Sequence, residues 1–176
     1  YKPEADKFAR IPILTEKEKE NPINLTKLCL VPDWGILVGT DRAGLKFYDR
    51  HNRKTETVIP DIQVRDIKQC SENTYWIASE SGVYILNMAD RSITHLQKSL
   101  TNEYTISDNA AYSITKDREG GIWVTTFFGG INYLPKEYVP FKYFIGGKTH
   151  PGMPGNAVRE ICPDRYGNLW LGTEDN

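Results

Sequence analysis

An all-β fold of repeated, four-stranded antiparallel units is what this 176-residue sequence predicts, on three observations. The first is an echo. "DREGGIWVTT" at Asp117 to Thr126 returns as "DRYGNLWLGT" at Asp164 to Thr173, which sets Trp123 and Trp170 47 positions apart. The second is that the period continues. Trp76 lies 47 positions before Trp123, and Leu37 lies 39 before Trp76, in "GILVGTD", whose Gly39-Thr40 matches Gly172-Thr173. The third is composition. Tyr, Trp, Phe, Ile and Val suit pleated, half-buried surfaces, and 14 Gly and 10 Pro punctuate short runs. No stretch keeps a 3.6-residue apolar period. Repeats of about 40 to 50 residues with several short strands each point to β-propeller blades.

Further landmarks fix the elements within each repeat. A Gly opens an apolar run 7, 6 and 7 residues after Leu37, Trp76 and Trp123: "GLKFYD" from Gly44, "GVYILN" from Gly82 and "GINYLP" from Gly130. Before the indole stands "VRDI" at Val64 to Ile67 or "VREI" at Val158 to Ile161, with "AYSI" ending at Ile114 in between. The expected order is a blade tail at 1–13, repeat one at 23–60, repeat two at 62–100, repeat three at 109–146 and a partial repeat four at 156–176. In the third repeat the strands fall near Ala110 to Lys116, Ile122 to Thr126, Gly130 to Leu134 and Phe141 to Ile145. Ile122 and Val124 alternate with Trp123, so the second strand is expected to be buried on both faces, as a mid-blade strand between neighbours would be. The Asp-Arg-x-Gly segment makes the preceding hairpin. Asp starts the turn through its side chain, and Gly120 or Gly167 supplies positive φ. That loop contracts to "PDWG" in the first repeat and "SENT" in the second. "TEKEKE" at Thr15 to Glu20 has no apolar face and reads as a solvated loop or a single helical turn.

Three complete repeats with partial blades at both ends leave open blade faces and unpaired edges. The sequence therefore reads as a β-propeller fragment of a longer protein, expected to associate through its open blade edges with another copy or with the rest of its parent.

Composition removes several functions. Lys plus Arg number 22 and Asp plus Glu 23, so nothing favours nucleic acid or an anionic membrane surface. No apolar run approaches the roughly 18 residues of a membrane helix. Cys29, Cys70 and Cys162 are odd in number and unclustered, and read as small apolar fillers. "GGKT" at Gly146 to Thr149 has Lys142 where a phosphate-binding loop needs its first Gly, and Pro151 and Pro154 follow it. His51, His95 and His150 lack ligand spacing, so no metal and no cofactor is expected. The "NLT" triplet at Asn24 is a formal glycosylation site with nothing to support its use. Asp33, Asp117 and Asp164 occupy the repeating turn, where a structural role suffices. No nucleophile elbow or Ser-His-Asp arrangement is present, and the chain is not expected to be an enzyme.

Binding is the better expectation. In a propeller the loops joining second to third strands share a face with the loops joining consecutive blades. On the first set lie Asp41 and Arg42, Glu80 and Ser81, Phe127 and Phe128, then Glu174 and Asp175. Near the second set lie Arg65, Tyr112, His150 and Arg159. Aromatic and charged groups on one rim suit a sugar, whose C–H face stacks on a ring while polar groups take its hydroxyls. The candidate ligand-binding residues are Arg42, Arg65, Tyr112, Phe128 and Arg159. A plug between blades is the competing role for Phe127 or Phe128.

Asp-x-x-Gly-x-[Ile/Leu]-Trp-[Val/Leu]-Gly-Thr followed by a Gly-led strand resembles the two-component-regulator propeller repeat. "DREGGIWVTTFFGGINYL" and "DRYGNLWLGT" match it closely, and "NAVREI" is similar to its first strand. The resemblance spans almost the whole chain, weakening where Leu37 replaces the indole. It implies the periplasmic sensor domain of a hybrid two-component regulator from polysaccharide-degrading gut bacteria. In that family propellers detect oligosaccharides, and a β-sandwich, a membrane helix, a histidine kinase and a DNA-binding output follow. Alternatives are an interaction propeller that spaces or dimerises the sensor and, further off, a polysaccharide-active enzyme.

Overall fold

The computed structural model describes residues 8, 10–102, 105–136 and 157–174. The chain divides into two compact units, Tyr1–Glu137 and Tyr138–Asn176.

The first unit holds three antiparallel sheets. Strands β1 (Leu25–Val31), β2 (Gly35–Thr40), β3 (Leu45–Asp49) and β4 (Lys54–Ile59) form a four-stranded meander in sequence order. Strands β5 (Val64–Gln69), β6 (Thr74–Ser79), β7 (Gly82–Asn87) and β8 (Ile93–Leu96) repeat it. Strands β9 (Ala111–Lys116), β10 (Ile122–Thr126) and β11 (Ile131–Leu134) form the third sheet with β10 in the middle. The fourth strand expected near Phe141 to Ile145 lies outside the described residues. The second unit contains the hairpin β12 (Val158–Pro163) and β13 (Leu169–Thr173). The fold is all-β, with a single 3-10 turn at Glu18–Glu20 among the described residues.

Two apolar cores fill the spaces between sheets. Leu37, Leu45 and Phe47 from the first sheet meet Ile67, Tyr75 and Ile77 from the second. Trp76, Ala78 and Val83, from the opposite face of that second sheet, meet Ile114, Ile122 and Val124 from the third. Strand β6 is therefore buried on both faces, because Ile77 and Trp76 point oppositely and each side finds a sheet. Each large side chain so enclosed contributes about 1.5–3 kcal/mol of transfer free energy. Leu37 needs no indole, since Tyr75 and Phe47 supply the bulk in its layer. Strand β10 departs from the expectation of two buried faces. Ile122 and Val124 are buried, but Trp123 is 38% exposed and stacks instead on Tyr133, with ring centroids 4.3 Å apart.

The hairpin devices explain the repeated letters. The Thr40 hydroxyl donates to the Gly44 carbonyl at 2.8 Å, and the Ala43 N–H donates to that hydroxyl at 2.8 Å. Ser79 repeats the bond to Gly82 at 2.8 Å, and Thr126 repeats it to Gly130 at 3.1 Å. Gly44 has φ +76°, and a Cβ there would lie 2.0 Å from the Ile59 carbonyl oxygen. Only glycine meets both demands; Gly82 repeats them with φ +126° and the Leu96 carbonyl oxygen at 2.4 Å, and Gly130 answers the positive φ alone.

Thr15 to Glu20, expected as a solvated loop or a single helical turn, contains the 3-10 turn, is largely exposed, and is anchored at Glu18. Glu18 forms an ion pair with Lys46, whose ammonium also donates to the Thr57 hydroxyl at 2.8 Å. Lys46 is buried, and this acidic partner keeps its charge compensated.

Candidate functional site

Each described first strand carries a β-bulge at the same place, and the bulge positions the candidate residues. In β5 the register passes from Val64↔Ser79 to Asp66↔Ala78, leaving Arg65 as the extra residue. In β9 the extra residue is Tyr112, opposite the Thr125–Thr126 shift. In β12 it is Arg159, between Val158↔Thr173 and Glu160↔Gly172. The corresponding shift in β1 leaves Thr26. A bulge re-aims one side chain out of the pleat, so these residues leave the sheet plane.

In three of the four sheets the re-aimed residue meets the residue that follows its second strand. Arg65 pairs with Glu80. Tyr112 stacks on Phe127, with centroids 5.6 Å apart and planes 19° from parallel. In the second unit Arg159 Nη2 donates to Glu174 Oε2 at 2.6 Å. The first sheet closes the same corner differently. There Asp41 accepts from the Asn24 backbone N–H at 2.9 Å and from its side-chain amide at 2.8 Å.

Three of the five candidates come together in the first unit. The Arg65 guanidinium lies 3.9 Å from the centre of the Tyr112 ring. Phe127 continues the stack and meets Phe128 edge-on at 4.4 Å. The Phe128 N–H donates to Asp108 Oδ2 at 3.0 Å, and that bond is the main reason the Asp108 carboxyl sits below the ordinary range. Phe128 is 87% exposed, so its ring faces solvent. Arg42 stands exposed on the β2–β3 turn of the first sheet, outside this cluster. Arg159 belongs to the second unit. His150 and the "GGKT" segment lie outside the described residues.

A groove of about 630 Å³ runs along β1, β5 and β9, lined by Lys27, Asp66, Lys68, Gln69, Ser113 and Thr115. Its central acid is committed to the fold. Asp66 accepts from the Ile67 and Ile114 backbone N–H groups at 2.9 and 3.0 Å and from the Ser113 hydroxyl at 3.1 Å. Lys27 completes the set at 2.7 Å. One carboxylate thus ties the first strands of three sheets together. Burial alone would push its pKa up, but Lys27, the Ile114 N–H and the Ser113 hydroxyl together hold it below the ordinary value. Burial also pushes the Cys70 thiol up to about 11, which suits a filler and not a nucleophile.

The twice-written Asp and Trp are joined directly. The Trp123 indole N–H donates to Asp117 Oδ2 at 2.8 Å, and Trp170 does the same to Asp164 Oδ2 at 3.1 Å. The other carboxylate oxygen takes a turn N–H, from Gly121 at 2.7 Å or from Asn168 at 2.9 Å. Both carboxyl groups fall below their usual range. Trp123 is the largest cause for Asp117; for Asp164 it is the Asn168 side chain, and the value falls to about 2. The Asp164 contribution to the hairpin is complete above about pH 4 and is lost as pH falls through about 2. The Trp170 indole N–H resonance should hold its position from pH 7 to about 4, then shift through an inflection near 2. A full shift by pH 4 would contradict the bond.

The family model described as two component regulator propeller matches residues 105–128 and 152–175, the two segments that contain the Asp–indole pairs. Two crystal structures of the extracellular domain of BT4673 from B. thetaiotaomicron superimpose on the chain with TM-scores of 0.64 each, at 18% and 19% identity over 98% of this chain. One describes its protein as a one-component system and the other as a hybrid two-component system. This chain spans 23% of the length of either. No curated protein matches the chain in sequence. At such identity the structural likeness speaks for the fold alone, a stretch of β-propeller, and the sequence match marks residues 105–128 and 152–175 as similar to two component regulator propeller repeats.

Proposed function

We propose that the chain is part of a periplasmic sensor domain of a hybrid two-component regulator, and that its rim binds an oligosaccharide without chemically changing it. The observation that carries the reading is the solvent-facing ring of Phe128 beside the Tyr112–Phe127 stack, with Arg65 and Glu80 at its edge. An aromatic surface bordered by hydrogen-bonding groups is what a pyranose ring requires. Sensing then needs a ligand that favours one arrangement of the sensor over another. Titration calorimetry of the purified protein with a panel of oligosaccharides tests this. Phe128→Ala should weaken the best ligand about 10-fold, the scale of one lost stacking contact, with the melting temperature unchanged because the ring is exposed. Silence across the panel overturns the proposal.

A second reading, a propeller that spaces or dimerises the sensor, is favoured by the apolar face bearing Trp123, Ile131 and Tyr133, all substantially exposed. The partner in that reading is a second copy of the chain. A monomeric mass by light scattering at high concentration would count against it.

A further inference from the structure

The charges around the aromatic rim suggest which saccharides it accepts. Recognition of a uronate or a sulfate normally uses a guanidinium presented edge-on and free to form two parallel hydrogen bonds. Arg65 is the cation in contact with the aromatic stack, and both its Nη2 and its ring-facing side are engaged. Glu80 takes an edge nitrogen, and the guanidinium lies against the Tyr112 ring. The Arg65 Nε is buried, without a hydrogen-bond partner among the described residues and shielded from an incoming ligand. Asp108 sits on the far side of the cluster, held to the Phe128 N–H, with Lys98 as its neighbouring cation. A carboxylate entering between Arg65 and Phe128 would thus meet the Glu80 carboxylate that already holds Arg65 Nη2.

We infer that the Arg65–Glu80 bulge pair acts as a charge filter, so that the rim takes uncharged pyranose chains and rejects uronate or sulfated ones. This rests on the oligosaccharide reading above. The physical basis is the difference between two encounters. A neutral ring stacks on Phe128 and Tyr112 and needs only hydroxyl partners, one of which the outer oxygen of Glu80 can supply. An anionic ring must either displace Glu80 from Arg65 or lie against a like charge, and both cost affinity. The bulge makes the arrangement possible. It pushes Arg65 out of the pleat toward the residue after β6, so the identity of residue 80 decides whether the guanidinium is available.

Two titrations decide the matter. In the first, the purified protein is titrated with neutral tetrasaccharides and with size-matched tetrauronates, in 10 mM and in 500 mM NaCl. Neutral chains should bind at least about 10-fold more tightly at low salt, and the ratio should narrow at high salt as like-charge repulsion is screened. In the second, Glu80→Gln releases Arg65, and the ratio of tetrauronate to neutral affinity should rise about 10-fold. A melting curve shows whether that variant folds. If it does not, the salt series on the natural sequence still decides. Wild-type preference for the tetrauronates, or a ratio unmoved by both salt and Glu80→Gln, overturns the charge filter and leaves oligosaccharide binding standing. Silence toward both classes overturns the oligosaccharide reading and the filter with it.

Discussion

Trp76→Ala should destabilise the first unit by about 3–5 kcal/mol, the usual cost of emptying an indole-sized space in a closed core. Trp76 is 7% exposed and packs between the second and third sheets beside Ile114, Ile122 and Val124. The same substitution at Trp123 should cost less, about two-thirds as much by area, since 38% exposure leaves less area to lose. Denaturant titration of both variants measures the difference. The pair is informative because the two residues hold equivalent places in the repeat, so a difference between them reports the surroundings and not the motif. Equal losses would mean that the Trp123 face is covered in solution, which is the result the dimerising reading requires.

Asp66→Ala should cost about 2–4 kcal/mol. It strands the Ile114 N–H and the Ser113 hydroxyl, and it leaves Lys27 without its acid. The estimate lies below that for a fully buried pair because Lys27 is partly exposed and water screens it. A pH dependence accompanies the loss. The folded carboxyl titrates below its unfolded value, so its stabilisation is complete above about pH 4 and drains away as pH falls through the lowered folded value. The natural protein should therefore lose denaturant resistance on acidification more steeply than Asp66→Ala. Parallel acid profiles for the two would show that Asp66 does not hold the three sheets together.

Sequence reading reached the repeat and its strands because both are local. The Asp-to-Trp spacing of six residues closes one hairpin, so Asp117 and Trp123 had to meet. The Gly that opens each third strand answers a positive φ, and at Gly44 and Gly82 a neighbouring carbonyl as well, so the constraint acts at one position. The candidate rim was legible in part. Arg65, Tyr112 and Phe128 were chosen from loop positions and do come together, but Arg42 stands apart on its own turn. The signal that would have sharpened the choice is the extra residue in each first strand. It shows only when that strand is set in register against its partner. Glu18 was unreadable for a similar reason, because its partner Lys46 lies 28 residues away on another element.

By itself the sequence determined the all-β class, the period and the hairpin chemistry, because strand alternation and turn geometry are set by residues within one repeat. Tertiary structure alone decided which indole is buried, which arginine is occupied and which acid joins three sheets. Those outcomes depend on what stands opposite each face. Copies of one motif meet different neighbours, and burial and charge pairing follow the neighbours.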